Sequence, residues 1–140
     1  MDTYWEQFKT PFLCFAGFSG VGKTTLIERI IKQFKADKIR VGYYKHDAHR
    51  FDIDKQGKDT WRCSQAGAGI VAINDQFHFA LVAEDSFRKR TITHALELCD
   101  CILIEGYKQS PFNKIVFLDS VGAPPIPLDS PGIKAVVHQG

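Results

Sequence analysis

Gly17-Phe18-Ser19-Gly20-Val21-Gly22-Lys23-Thr24 is the stretch whose reading decides the fold. It follows the pattern G-x-x-x-x-G-K-[ST] of a phosphate-binding loop. Immediately upstream, Phe12-Leu13-Cys14-Phe15-Ala16 is apolar without alternation, as a parallel strand covered on both faces requires. Downstream, Leu26, Ile27, Ile30, Ile31 and Phe34 recur at helical spacing, and Glu28, Arg29, Lys32 and Lys35 take the other face. The segment therefore reads as strand, glycine turn and helix. Glycines let the backbone curl with its N–H groups inward, and the helix start adds unpaired donors and a positive dipole end. Phosphates are expected on Gly17 through Thr25, that is Gly17, Phe18, Ser19, Gly20, Val21, Gly22, Lys23, Thr24 and Thr25. Lys23 is the expected counter-charge to the β- and γ-phosphates, and the Thr24 hydroxyl the expected Mg²⁺ ligand.

A second informative run is Asp100-Cys101-Ile102-Leu103-Ile104-Glu105-Gly106. An apolar strand ending in an acid is the partner a phosphate-binding loop needs. The strand spans roughly 13 Å, so its two acids lie at opposite ends. Glu105 is at the carboxyl end and is assigned the Mg²⁺ or water contact; Asp100 is read as a turn residue.

Between these runs, Ile39 to His46 reads as a second strand, lying close to the first and ending in Lys45, His46, Asp47, His49, Asp52 and Asp54. In an open α/β sheet such residues rim the ligand crevice, and Asp47 is a candidate to orient water. His46-x-x-His49 raises a metal site, but no further ligands follow at dependable spacing. Asp54-Lys55-Gln56-Gly57 matches D-x-x-G, although a polar segment precedes it. Asp59 or Thr60 can cap a helix through Ala66. Ile70 to Asn74 and Phe77 to Ala83, joined by Asp75-Gln76, form an antiparallel hairpin extension over about 70–84. Arg88-Lys89-Arg90 opens a helix through Leu98 against the dipole preference. Strands follow at Asn113 to Asp119 and Ile133 to Val137.

The expected fold is thus α/β: a three-layer P-loop NTPase with a mostly parallel central sheet, in one nucleotide-binding domain over residues 1–140. A formal charge of +2 is too slight to argue for nucleic-acid or membrane partners, and neither is expected. The chain has no long apolar run and its first residues lack a signal-peptide pattern, so a cytoplasmic protein is expected. The four cysteines form no C-x-x-C pair, which speaks against structural zinc or a disulfide framework.

With these residues in hand, the chain resembles the molybdopterin-guanine dinucleotide biosynthesis adapter family, MobB. The resemblance is carried by Gly17 to Thr25, Lys45-His46-Asp47-x-His49, Phe51-Asp52-x-Asp54, Gly57-Lys58-Asp59-Thr60, Ala66-Gly67-Ala68 and Glu105-Gly106-Tyr107-Lys108. It implies a GTP-binding protein with weak GTPase activity, a homodimer, assisting the guanylyltransferase MobA that attaches GMP to molybdopterin. Guanine preference comes from the resemblance, because Asn113-Lys114 is followed by Ile115 and Val116 rather than by N-K-x-D. Two other readings compete: a small-molecule P-loop kinase, and a metallochaperone GTPase using His46, His49 and Asp52.

Overall fold

The structure, a computed structural model, describes residues 3–46 and 56–138. The chain forms two compact units, Met1–Ala48 with Ala95–Gly140, and His49–His94.

The first unit is built on a five-stranded parallel sheet. Its strands are β1 (Phe12–Ala16), β2 (Val41–Lys45), β5 (Cys101–Glu105), β6 (Lys114–Phe117) and β7 (Ile133–Val137), in the spatial order β2-β5-β1-β6-β7. The apolar runs read as parallel strands are therefore the inner ones, and β1 and β5 are neighbours. One expectation is corrected: β2 does not lie beside β1, because β5, buried from Ile102 to Glu105, is inserted between them. A strand buried on both faces belongs in the interior, and Ile102, Leu103, Ile104 and Glu105 are all buried. Strand β2 contains Gly42 and an exposed Tyr43, and suits an edge.

Helix α1 (Lys23–Ala36) covers one face of the sheet. Ile27 on the helix packs with Phe15, Val21, Leu103 and Phe117, flanked by Leu26, Ile30 and Ile31. The apolar stripe seen in the sequence is thus the packing stripe. The opposite face carries an aromatic cluster. Trp5, 1% exposed, has its ring centroid within 5.0–6.1 Å of those of Phe8, Phe12, Tyr44 and Tyr107. Gly42 lies close under Leu96: a Cβ there would be 3.0 Å from the leucine's Cδ2, a tight contact that a side chain could enter only if the leucine shifted.

The second unit holds α2 (Asp59–Gln65), the antiparallel pair β3 (Ile70–Asn74) and β4 (Phe79–Ala83), and most of α3 (Arg88–Leu96). Three local expectations shift. The residue capping α2 is Lys58 and Asp59 is the first helical residue, where its charge suits the dipole. The hairpin connection is Asp75 to His78 rather than Asp75-Gln76, because the Asp75 carboxylate accepts from the N–H groups of Phe77 and His78, both at 2.7 Å. Phe77 therefore lies in the turn and not on the strand face. At the start of α3, Asp85 faces the Arg88 guanidinium at 3.1 Å, which offsets the unfavourable cation within the chain itself. No helix among the described residues is long and apolar enough to cross a membrane.

Candidate functional site

Strand β1 ends at Ala16 and α1 starts at Lys23, so Gly17–Gly22 turns at the carboxyl edge of the sheet, where open α/β folds bind ligands. Gly20 (φ 78°) and Gly22 (φ 91°) adopt left-handed backbone that a side chain would strain. Gly17 is needed for space instead: a Cβ there would lie 2.9 Å from both Phe117 Cβ and Val21 Cγ2. The N-cap of α1 is Gly22, which offers no side-chain acceptor, so no side chain caps the first amides of the helix and an anion could accept from them.

Lys23 bends back across this loop, its ammonium donating to the carbonyls of Gly17 (2.5 Å) and Phe18 (3.1 Å). Burial lowers its pKa below that of a free lysine. The nearby Glu105 charge opposes the shift, and Lys45 and Lys108 reinforce it. A polyphosphate at the loop restores what burial removes, an anionic partner for a partly desolvated cation.

Thr24 and Glu105, 81 positions apart, meet: the Thr24 hydroxyl donates to Glu105 Oε1 at 3.1 Å. Parallel pairing makes this possible, since Glu105 stands opposite Phe15 on β1 and opposite Lys45 on β2. Glu105 is 7% exposed, and Lys45 Nζ lies 3.9 Å from its Oε2. A threonine hydroxyl whose single proton is committed to a carboxylate keeps its lone pairs for a cation. Hydroxyl and carboxylate oxygens side by side are the hard donor set that Mg²⁺ takes, and the residues present therefore fit that ion.

The same carboxylate has a partner that the sequence reading missed. Tyr43 donates its phenol proton to Glu105 Oε2 at 2.7 Å. Burial, then this hydrogen bond and the carboxylate charge, raise the tyrosine's pKa well above its usual value, so it stays a donor. Period-two alternation puts Tyr43 on the same face as Lys45, but only the β2–β5 register shows that this face looks at Glu105. Lys108 was likewise quoted without a role, and the structure puts its charge within reach of Lys23.

Beyond Glu105 the backbone leaves the sheet through Gly106 (φ 127°) and Tyr107 (φ 54°). The Tyr107 ring stacks on His46 with centroids 3.8 Å apart, and its hydroxyl accepts from Trp5 Nε1 at 2.8 Å. His46 is thus packed on an aromatic ring at the crevice rim. Asp47, His49, Asp52 and Asp54 lie outside the described residues, and the roles read for them lie there too. Among the described residues no three His, Cys, Asp or Glu side chains converge on a possible metal position. Asp100 is a turn acid, accepting from the Arg40 N–H at 2.7 Å and facing its guanidinium at 3.3 Å, at the far end of β5. All four cysteines are free thiols.

A parallel sheet, a glycine turn into α1, and a lysine, threonine and acid converging at its mouth define a phosphate-binding-loop protein of the α/β class. Comparison with known proteins narrows this. The family described as Molybdopterin guanine dinucleotide synthesis protein B matches residues 12–139, and the chain belongs to this MobB family. It is 35% identical over 122 residues to the molybdopterin-guanine dinucleotide biosynthesis adapter protein of Haemophilus influenzae, covering 84% of this chain and 68% of that relative. To the adapter protein of that name from Escherichia coli it is 38% identical over 122 residues, covering 82% and 70%. Among solved structures, that of Bacillus subtilis MobB superposes with a TM-score of 0.61 at 32% identity, over 79% of this chain and 67% of the other.

Proposed function

We propose that this chain is a GTP-binding adapter with weak GTPase activity that assists guanylyl transfer to molybdopterin in molybdenum cofactor maturation. The supporting observation is the convergence of Lys23, Thr24 and Glu105 at the mouth of the Gly17–Gly22 turn, in a chain whose relatives are named adapter proteins of that synthesis. In this reading the amides from Gly17 to Thr25 bind the phosphates. Lys23 exchanges its loop carbonyls for the β- and γ-phosphates. Thr24 and Glu105 hold Mg²⁺, which when bound neutralises phosphate charge. Asp47 orients water. The cations described at the crevice, Lys23, Lys45 and Lys108, are point charges rather than the planar fork of an arginine finger, in keeping with slow hydrolysis. The protein acts in the cytoplasm with the transferase MobA, and as a homodimer. The hairpin, with Ile73 58%, Phe77 79% and Phe79 79% exposed, offers the apolar surface such a dimer would cover.

A titration of GTP against ATP in the presence of Mg²⁺, repeated with the transferase added, tests the proposal. Tighter binding of GTP, and a further gain with the transferase, is the expected result. Preference for ATP, or phosphoryl transfer to a small acceptor faster than phosphate release, overturns it in favour of a kinase.

A further inference from the structure

We propose that Tyr43 is a positioning residue for the metal–nucleotide site: its hydroxyl holds the Glu105 carboxylate in the orientation that meets the cation beside Thr24. The inference rests on the nucleotide reading given above.

Glutamate has one more rotatable bond than aspartate, so a glutamate reaching a Mg²⁺ site needs its head group fixed from outside. Here the two carboxylate oxygens are held separately, Oε1 by Thr24 at 3.1 Å and Oε2 by Tyr43 at 2.7 Å. The Tyr43 bond is the shorter. Of the other groups near Oε2, Lys45 is 3.9 Å away with its side chain 59% exposed, too far and too solvated to define a direction. The Tyr43 anchor comes from an edge strand and reaches forward along it. Tyr43 pairs in register with Leu103, two residues before Glu105 on β5, so the carboxylate lies about 7 Å ahead along the strand direction, a distance a tyrosine spans. Threonine must serve both the cation and the carboxylate. Tyrosine serves the carboxylate alone, and keeps its proton across the physiological range. Mg²⁺ tolerates little departure from octahedral geometry, so freedom of this head group translates into metal affinity.

The test is Tyr43→Phe, which keeps the ring of a 43% exposed residue and removes only the hydroxyl. GTP affinity is measured by calorimetry in Mg²⁺ and again in EDTA, and the ratio of the two is compared with wild type. We expect the EDTA affinity to stay near wild type, the melting temperature to fall by no more than about 3–5 °C, and the gain from Mg²⁺ to fall about five- to tenfold, the effect of one partly solvated hydrogen bond. A Mg²⁺ gain equal to wild type refutes the role of Tyr43 while leaving the nucleotide site standing. Wild-type protein that binds no GTP under either condition removes the nucleotide site, and the role of Tyr43 with it. A Tyr43→Leu variant that behaves like Tyr43→Phe excludes the ring itself as the cause; one that alone loses the Mg²⁺ gain shows that packing, not the hydroxyl, matters, and overturns the inference.

Discussion

Replacing Thr24 by valine removes one hydroxyl and almost nothing else. The two side chains have nearly the same shape and similar helix propensity, so α1 should be unaffected. What disappears is the 3.1 Å hydrogen bond to Glu105 Oε1. A hydrogen bond to a charged group contributes about 1.5–3 kcal/mol. Thr24 itself is exposed, so water can partly replace it, and we take about 1–1.5 kcal/mol. With an unfolding entropy of about 2.1 cal/mol/K per residue, a chain of 140 residues has about 0.3 kcal/mol/K, and the melting temperature should drop by about 3–5 °C. Scanning calorimetry of the ligand-free protein measures this. The neighbouring Thr25→Val change is the control, and should stay within about 0.5 kcal/mol. In the same samples the gain in GTP affinity on adding Mg²⁺ should nearly vanish for Thr24→Val, because a cation ligand is lost along with the bond. A Thr24→Val protein that melts as wild type and keeps its Mg²⁺ gain would refute the pairing of this hydroxyl with Glu105 and with the ion.

Further outcomes are expected at Lys23, Gly106 and the cysteines. Lys23→Ala should lower GTP affinity about 10- to 100-fold with little loss of stability, as removal of a charge-assisted contact to phosphate predicts. Because burial has already lowered the Lys23 pKa from 10.5, wild-type affinity should fall as pH rises through that lowered value, and the variant should lack this step; calorimetry across alkaline pH checks it. Gly106→Ala should destabilise by about 2–4 kcal/mol in a denaturant titration, since φ 127° disfavours any side chain and the new Cβ would lie 3.0 Å from His46 Cβ. Thiol labelling of the native protein should modify exposed Cys63 first and spare Cys14, whose burial pushes its pKa from 9.0 to about 12. The unfolded Cys14 thiol ionises at lower pH than the folded one, so its contribution to stability is complete below pH 9.0 and is lost as pH rises toward about 12.

Much of the candidate site could be read from local signals. Gly17 to Thr25 form a contiguous motif whose chemistry is held in a single turn, and the strand before it and the helix after it carry unambiguous periodicities. Glu105 was singled out because an apolar strand ending in an acid is also a local pattern, and the structure brings it to Thr24. The hairpin followed from two β-rich runs with too little chain between them for a helix. Tyr43 escaped for the opposite reason. Its partner is 62 positions away, and a tyrosine in a strand is ordinary until the neighbouring strand is known. The strand order misled for the same cause, as proximity in sequence suggested β2 beside β1, whereas burial on both faces assigned that place to β5.

The amino-acid sequence alone determined the class of protein, the glycine turn between strand and helix and the acid that ends β5, since each is encoded within a few consecutive residues by backbone freedom and side-chain period. Only the tertiary structure decided how that acid is held. Parallel register lines up Phe15, Glu105 and Lys45, which brings Thr24 to one oxygen of the carboxylate and Tyr43 to the other. Such pairings depend on which strands become neighbours, and that is settled by the competition of whole strands for the buried interior rather than by any local stretch.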